Sequence, residues 1–343
     1  MKVLLAMSGG VDSSLCGYLL QEMGYEVHGV TFDTGMTERE KFKKDVEDAK
    51  AVAESLGFGH SVVEYKDYFR KNVVAPFIDA YIAGKTPNPC IICNRVLKFG
   101  TLMDYALSHG YDMLATGHYA NIGKIGEKYL LKKAKDERKD QTYFMYGASN
   151  LDRVIFPLGN FTKVETRELA HKLGIKTMDK KDSQEVCFIS SNYRDFLNSE
   201  KVELPKEGNF IDINGNILGR HEGTFNYTVG QRKGLNIALG ARAYVIDIDT
   251  KNNTVTLGDE SYLFKKTVVA EMPETVDANL LEDKIYEVKT RYKLHGDPAR
   301  VKFDGKYLIG EFEEGVRAPA VGQSMVVYDG DYVITGGEII DAY

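Results

Sequence analysis

This chain of 343 residues has few cysteines, no excess of positive charge and no long apolar run. The four cysteines are Cys16, Cys90, Cys93 and Cys187. They are too few and too scattered for a secreted disulfide scaffold. No stretch of 18 apolar residues occurs, so no membrane-spanning helix is expected. Met1–Met7 runs straight into a glycine turn and is too short for a secretory signal. The expectation is a cytoplasmic protein that works as a monomer. With 44 Lys and Arg against 50 Asp and Glu, the net charge is −6. An acidic chain binds nucleic acid only through local basic patches. Two such stretches exist, Lys124–Lys139 and Lys289–Lys306. Read alone, each is equally a solvated lysine-rich hairpin.

What is present divides into two halves. Val3–Met7 is an apolar run, followed by Leu15, Leu19 and Met23 at four-residue steps. Glu26–Phe32 and His60–Tyr65 read as strands. Val46, Ala49, Ala53 and Leu56 form a helical stripe between them. Helical pattern returns from Tyr68 to Ile82, and Met113–Ala115 is a short strand. Alternating strands and helices predict a parallel sheet covered on both faces, with ligands beyond the strand C-termini. After about Phe196 short alternating runs take over, including Tyr244–Asp249, Ala299–Phe303 and Ser324–Tyr328. Asn214-Gly215, Asp304-Gly305 and Asp329-Gly330 supply turns between such runs. The expected fold class is α/β: an N-terminal Rossmann-like parallel sheet, then a small β domain and a C-terminal β-barrel-like domain. The expected boundaries are 1–205, 206–260 and 261–343.

The strongest motif is Ser8-Gly9-Gly10-Val11-Asp12-Ser13-Ser14, between the first strand and the first helix. Glycines let backbone N–H groups approach phosphate oxygens, and the helix start adds the positive end of its dipole. Asp12 is a candidate to help hold Mg2+. No lysine follows the glycines, so this is not a Walker A loop, nor is it GxGxxG. The stretch resembles the PP-loop of N-type ATP pyrophosphatases. That resemblance implies that ATP is split between its α and β phosphates, with Ala6, Met7, Ser8, Gly9, Gly10, Val11, Asp12 and Ser13 around the nucleotide. It also places Phe32 beside the adenine and Gly117 close to the nucleotide. Phe32 reads equally well as a core aromatic.

Thr86-Pro87-Asn88-Pro89-Cys90-Ile91-Ile92-Cys93-Asn94 is stiffened by two prolines and leads into an apparent helix. A cysteine near a helix start, with Arg95 and Lys98 nearby, is expected to have a lowered pKa, which makes Cys93 a candidate nucleophile. Cys187 alone reads as a core cysteine. Cys16 lies beside the apolar stripe of the first helix and reads as core.

Taken in order, SGGVDSS, TPNPCIICNRVLKFG, ATGHYA, KDQTYF, DSQEVCFIS, GTFNYTVGQRKGL, Arg291-Tyr292 and GQSMVVYDGDYVITGGEII resemble the tRNA-specific 2-thiouridylase family from Met1 nearly to Tyr343. The resemblance implies that Cys93 and Cys187 are catalytic, with Cys187 carrying a persulfide sulfur onto an adenylated wobble uridine. It places Asn88, Pro89 and Cys90 beside the target base. It implies tRNA contacts for His118, Lys139, Asp140, Gln141, Arg291, Tyr292 and Gln323. The partners implied are a tRNA anticodon stem-loop, with its base turned outward, and a sulfur donor, either a persulfide carrier or sulfide. His118 reads alternatively as a satisfied histidine at a sheet edge.

One departure matters. Cys90 stands where the commoner family pattern has Asp. Three thiols, Cys90, Cys93 and Cys187, are enough to hold a [4Fe–4S] cluster with one open iron, so that hydrosulfide delivery, zinc binding and inert thiols stay open beside the persulfide route. Two other functions compete: a PP-loop amidating synthetase, and a nucleotide-regulated tRNA-binding module without catalysis.

Overall fold

The computed structural model describes residues 1–175, 177, 186–189, 192–200, 202–237 and 242–343. The chain groups into two compact units. The first comprises Met1–Val73, Cys90–Phe188 and Asp331–Val333, and the second the remainder.

The first unit is built on five parallel strands in the order β3-β2-β1-β4-β7. They are β1 (Lys2–Ala6), β2 (Glu26–Asp33), β3 (Gly59–Glu64), β4 (Met113–Thr116) and β7 (Val154–Ile155). Val3, Leu4 and Leu5 of β1 are wholly buried, as a central parallel strand requires. Helices α1 (Val11–Glu22), α2 (Arg39–Leu56), α6 (Leu102–Ser108) and α7 (Lys163–Lys172) belong to this unit. The chain leaves β1 for β2 on one side and meets β4 on the other. The C-terminal ends of β1 and β4 therefore flank the topological switch point where such sheets bind ligands. The hairpin β5 (Asn121–Ile125) and β6 (Lys128–Lys132) carries the first lysine-rich stretch. A continuous helical stretch links α3 (Lys66–Phe69), a π-turn and α4 (Ala75–Ile82). Another links α5 (Pro89–Cys93), a π-helix over Asn94–Thr101 and α6.

In the second unit, Phe77 and Tyr81 of α4 pack against Phe196 and Tyr193 of α8 (Tyr193–Ser199). A four-stranded sheet follows, ordered β10-β11-β8-β9: β8 (Gly208–Ile211), β9 (Ile217–His221), β10 (Tyr244–Asp249) and β11 (Thr254–Gly258). Phe210, Val245, Val255 and Leu257 form its core with Tyr227 and Leu235. Six antiparallel strands make the barrel: β12 (Phe264–Glu271), β13 (Ile285–Lys289), β14 (Asp297–Phe303), β15 (Tyr307–Arg317), β16 (Ser324–Asp329) and β17 (Tyr332–Ala342). Pairing of β12 with β17 closes it, which leaves no free edge. Inward residues alternate along its strands, among them Val268, Val288, Val301, Leu308 and Val327. No helix among the described residues is long and apolar enough to cross a membrane.

Candidate active site

The glycine turn lies at the switch point because β1 ends there. Met7 N–H donates to Val30 O, and Thr31 Oγ1 donates to Met7 O at 2.9 Å. These bonds fix the strand end. Gly9 then turns with φ +68°, and a Cβ there would stand 2.4 Å from Asp45 O of α2. Gly117, after β4, lies so close to α1 that its Cβ would meet Ser13 N at 3.0 Å. Ser13 Oγ receives Ser8 N–H at 3.2 Å and donates to Gly10 O at 3.2 Å. Gly10 begins α1 without a side-chain cap, so the orphan N–H groups of its first turn face the loop. Ala6 ends β1 and Val11 begins α1, so with Met7 they border this turn. Phe32 is half-buried on β2, beside Val63 of β3.

Asp12 does not stand ready for a metal. Lys163 Nζ lies 2.7 Å from both its oxygens, and Tyr119 Oη donates to Oδ1 at 3.2 Å. Tyr119 Oη also lies 3.0 Å from Thr166 Oγ1. Lys163 and Tyr119 went unnoticed in the sequence. The pattern Thr162-x-x-Glu165 marks a capping box and so a helix start, which puts Lys163 first in α7. No local signal shows that this helix abuts Asp12. A single carboxylate still suits Mg2+ when phosphates supply further ligands, once Lys163 yields it.

Cys93 corrects the expectation of a lowered pKa. It ends the first turn of a helix that continues as a π-helix, and it is buried, 9% exposed. Burial pushes its thiol up to about 12, and the Lys98 ammonium only partly offsets this. The π-helix has a wide turn, which brings Lys98, five residues on, back toward Cys93. Cys90 is half-buried and is also raised, first by burial. Cys187 is exposed as a residue, although packing around its sulfur raises the thiol, against Lys98 and Lys41. Its neighbour Phe188 is buried edge-on against Phe69 at 5.8 Å, which ties this segment to the first unit. Lys98 acts on both thiols, and Cys187 also raises that of Cys93 directly. The preceding Asp182-Ser183-Gln184-Glu185 lies outside the described residues. Cys16 is buried in the core against the sheet.

The cluster expectation fits less well. Among the described residues, no three His, Cys, Asp or Glu side chains stand together as a metal-holding group. Cys187 nevertheless raises the thiols of both Cys90 and Cys93, and Cys90 that of Cys93, so the three sulfurs lie within electrostatic reach of one another.

His118 has both ring nitrogens engaged. Lys98 Nζ lies 3.1 Å from Nε2 and Thr116 Oγ1 lies 2.7 Å from Nδ1. An ammonium only donates, so Nε2 accepts and Nδ1 carries the proton. Burial, then Lys98, holds this histidine neutral. Both nitrogens are thus engaged within the protein, the arrangement of a satisfied histidine.

The Lys139-Asp140-Gln141 expectation divides. Asp140 is 3% exposed. Its carboxylate accepts Ala134 N–H at 3.0 Å and the Thr142 hydroxyl at 2.6 Å. It braces the loop and offers no surface to RNA. Lys139 and Gln141 are half-buried, and Gln141 Oε1 accepts Tyr119 N–H at 2.9 Å. Replacing Asp140 with alanine is expected to destabilise the protein by about 2–4 kcal/mol in urea unfolding, with no selective loss of RNA affinity. A variant as stable as the parent but weak in RNA binding would restore the contact role.

In the second unit, Gln323 Nε2 donates to Thr86 O at 2.7 Å, and Thr86 N–H donates to Val321 O at 2.8 Å. Gln323 thus holds the peptide leading to Asn88 and Pro89. Arg291 donates to Ala318 O, and Tyr292 beside it is 46% exposed.

Comparison with known proteins agrees with this layout. Residues 1–191 match a family model described as a tRNA methyl transferase HUP domain. Residues 194–259 match a tRNA methyl transferase PRC-barrel domain, and 265–339 an aminomethyltransferase beta-barrel domain. The tRNA-specific 2-thiouridylase MnmA 2 of Clostridium botulinum (strain Okra) is 41% identical, covering 98% of this chain and 99% of its own. The tRNA-specific 2-thiouridylase MnmA of Acetivibrio thermocellus is 44% identical at the same coverage. That of Clostridioides difficile is 42% identical, covering 98% of both chains. The U34-tRNA thiolase NcsA from Methanococcus maripaludis, solved with its [4Fe-4S] cluster, aligns with a TM-score of 0.36 and 18% identity. It covers 58% of this chain and 64% of that one, too slight a likeness to carry a cluster across. The domain descriptions speak of methyl transfer, but the relatives that match along the whole length are thiouridylases. On that full-length identity, the chain belongs to the tRNA-specific 2-thiouridylase family.

Proposed function

We propose that this chain is an ATP-dependent sulfurtransferase that 2-thiolates the wobble uridine, U34, of tRNA, with sulfur delivered as a persulfide on Cys187. The observation that carries the sulfur route is the pairing of an exposed Cys187 with a buried Cys93 around Lys98. A cysteine at the surface is within reach of a sulfur donor. A buried one is protected until the substrate arrives.

The chemistry follows. The C2 oxygen of uridine is a poor leaving group. Its attack on the α-phosphate of ATP expels pyrophosphate and leaves an O-adenylated uridine. The outer sulfur of the Cys187 persulfide loses its proton and attacks C2, and AMP departs with the former oxygen. Cys93 then attacks the Cys187 sulfur. The S–S bond to the base breaks, a Cys93–Cys187 disulfide forms, and 2-thiouridine leaves. A dithiol reductant resets the pair. Mg2+ would be held by Asp12 and nucleotide phosphates, where it supplies charge neutralisation. The glycine turn and α1 orient the phosphates. Residues 1–205 form the adenylation and thiolation domain, 206–260 the small central domain and 261–343 the tRNA-facing barrel. Arg291, Tyr292 and Lys139 are the contacts to the anticodon stem-loop. The enzyme acts as a cytoplasmic monomer.

The test supplies ATP, a transcript of the anticodon stem-loop and a persulfide donor. It measures AMP, pyrophosphate and the retardation of thiolated RNA on a mercury gel. Formation of ADP, or release of pyrophosphate without 2-thiouridine, would overturn the reading. Hydrosulfide delivery from a [4Fe–4S] cluster predicts instead that Cys90→Ser is inactive and that iron accompanies activity.

A pH dependence follows from Cys93. Its thiol is raised to about 12, so its thiolate fraction grows about tenfold per pH unit through the neutral range. The single-turnover rate of 2-thiouridine release is expected to rise with a slope near one between about pH 6.5 and pH 9. A flat profile would remove Cys93 deprotonation from the slow step. The sign for stability is the reverse. A thiol raised on folding stabilises fully below its unfolded pKa of about 8.5, and this is lost as pH rises toward the folded value.

A further inference from the structure

We propose that Lys163 is the cation that receives the β- and γ-phosphates of ATP, and then pyrophosphate, in place of the P-loop lysine this chain lacks. The proposal rests on the ATP-dependent reading above and adds a residue to it.

Between Lys2 and Arg39 the sequence has no lysine or arginine at all. The phosphate-binding turn and all of α1 fall in this gap. They offer backbone N–H groups and hydroxyls, but also the negative charge of Asp12. A polyphosphate held there needs a cation from elsewhere in the fold. Lys163 arrives from α7, and its Nζ sits 2.7 Å from both oxygens of Asp12, the second residue of α1. It is 8% exposed and lies over the Tyr119 ring at 5.7 Å.

Its position is unfavourable for mere stability. Lys163 is the first residue of α7, where the helix dipole repels a positive charge. A buried ion pair is often replaceable by apolar side chains without loss of stability. Tyr119 and Thr166 already tie α7 to α1 without any charge on the lysine. A cation kept in such a place suits a site that must exchange one anion for another. When magnesium and nucleotide draw Asp12 away, the ammonium is left beside the turn, and the phosphates take over as its counter-charge.

The test uses the full chain without divalent cation, so that Asp12 has no metal to bind. Affinities for ATP, pyrophosphate and AMP are measured by calorimetry for the parent, Asp12→Asn, and the double variant Asp12→Asn/Lys163→Met. The double variant removes both charges and leaves no buried carboxylate unpaired. Relative to Asp12→Asn, it is expected to bind ATP and pyrophosphate at least about 30-fold more weakly, with AMP affinity unchanged. Lys163→Arg is expected to retain most of the pyrophosphate affinity. Equal affinities for the double variant and Asp12→Asn would overturn the proposal, because Lys163 would then serve only to neutralise Asp12. An equal loss for AMP would also overturn it, as a general distortion of the site. If the double variant does not fold, labelling of the parent with adenosine triphosphopyridoxal decides. Lys163 should be modified and pyrophosphate should protect it, and labelling confined to other lysines would refute the assignment. Absence of ATP binding by the parent chain would instead sink the adenylation reading itself.

Discussion

Cys187→Ser is expected to lower 2-thiouridine formation at least about 1000-fold while leaving adenylation, read as pyrophosphate release, within a few-fold of the parent. Serine keeps the shape but can carry no persulfide. The phosphate site is built from the turn after β1 and from α1, so the first half-reaction does not depend on this sulfur. Cys93→Ser should give the same loss of turnover with a different intermediate. Sulfur would reach C2, and the RNA would stay linked to Cys187 through an unresolved S–S bond, visible as a protein–RNA adduct that a reductant releases. Cys90→Ser should retain most activity on the persulfide route. Thiol alkylation gives an independent check. Cys187 is exposed and Cys93 buried, so iodoacetamide at neutral pH should modify Cys187 first. Thiolation that survives Cys187→Ser, or adenylation lost together with it, would refute the division of labour.

Gly9→Ala is expected to cost far more than its size suggests. Gly9 has φ +68°, where an L side chain is strained by about 1–2 kcal/mol. Its new Cβ would also stand 2.4 Å from Asp45 O, a backbone atom in the middle of α2 that no rotamer change relieves. Helix α2 is held at its start by Arg39, whose Nη1 lies 2.6 Å from the buried Asp33 carboxylate. Either the turn or the helix must move, and the total is expected to reach about 3 kcal/mol or more. ATP affinity should collapse with it, because the turn's N–H groups would lose their aim. Gly24→Ala is the control. Gly24 has φ +83° but meets nothing within 4 Å, so only the backbone strain of about 1 kcal/mol remains. Urea unfolding of the two variants and nucleotide titration decide the matter. Equal destabilisation, or unchanged ATP affinity in Gly9→Ala, would show that the close approach to Asp45 is relieved at no cost.

Much of the fold was legible because its signals are local. The buried run Val3–Leu5, the stripe Ala49–Ala53 and the glycine turn each declare themselves within a few residues. Alternating runs and Asn-Gly or Asp-Gly turns announced the β-rich second half. The strand Phe264–Glu271 was missed for a physical reason: Phe264 at its start is 47% exposed, and only Val268 and Ala270 point inward. Val154–Ile155 is too short to show any period.

The sequence by itself determined the parallel α/β architecture and the glycine turn after the first strand, since backbone periodicity and turn chemistry are properties of neighbouring residues. Tertiary structure alone decided what surrounds those groups. It buried Cys93 and so raised a thiol that its basic neighbours suggested would be acidic. It turned Asp140 inward to brace a loop, set His118 against Lys98, and brought Lys163 onto Asp12 from a helix far along the chain. Desolvation and long-range charge pairing depend on which atoms exclude water, and that is fixed only when distant segments pack together.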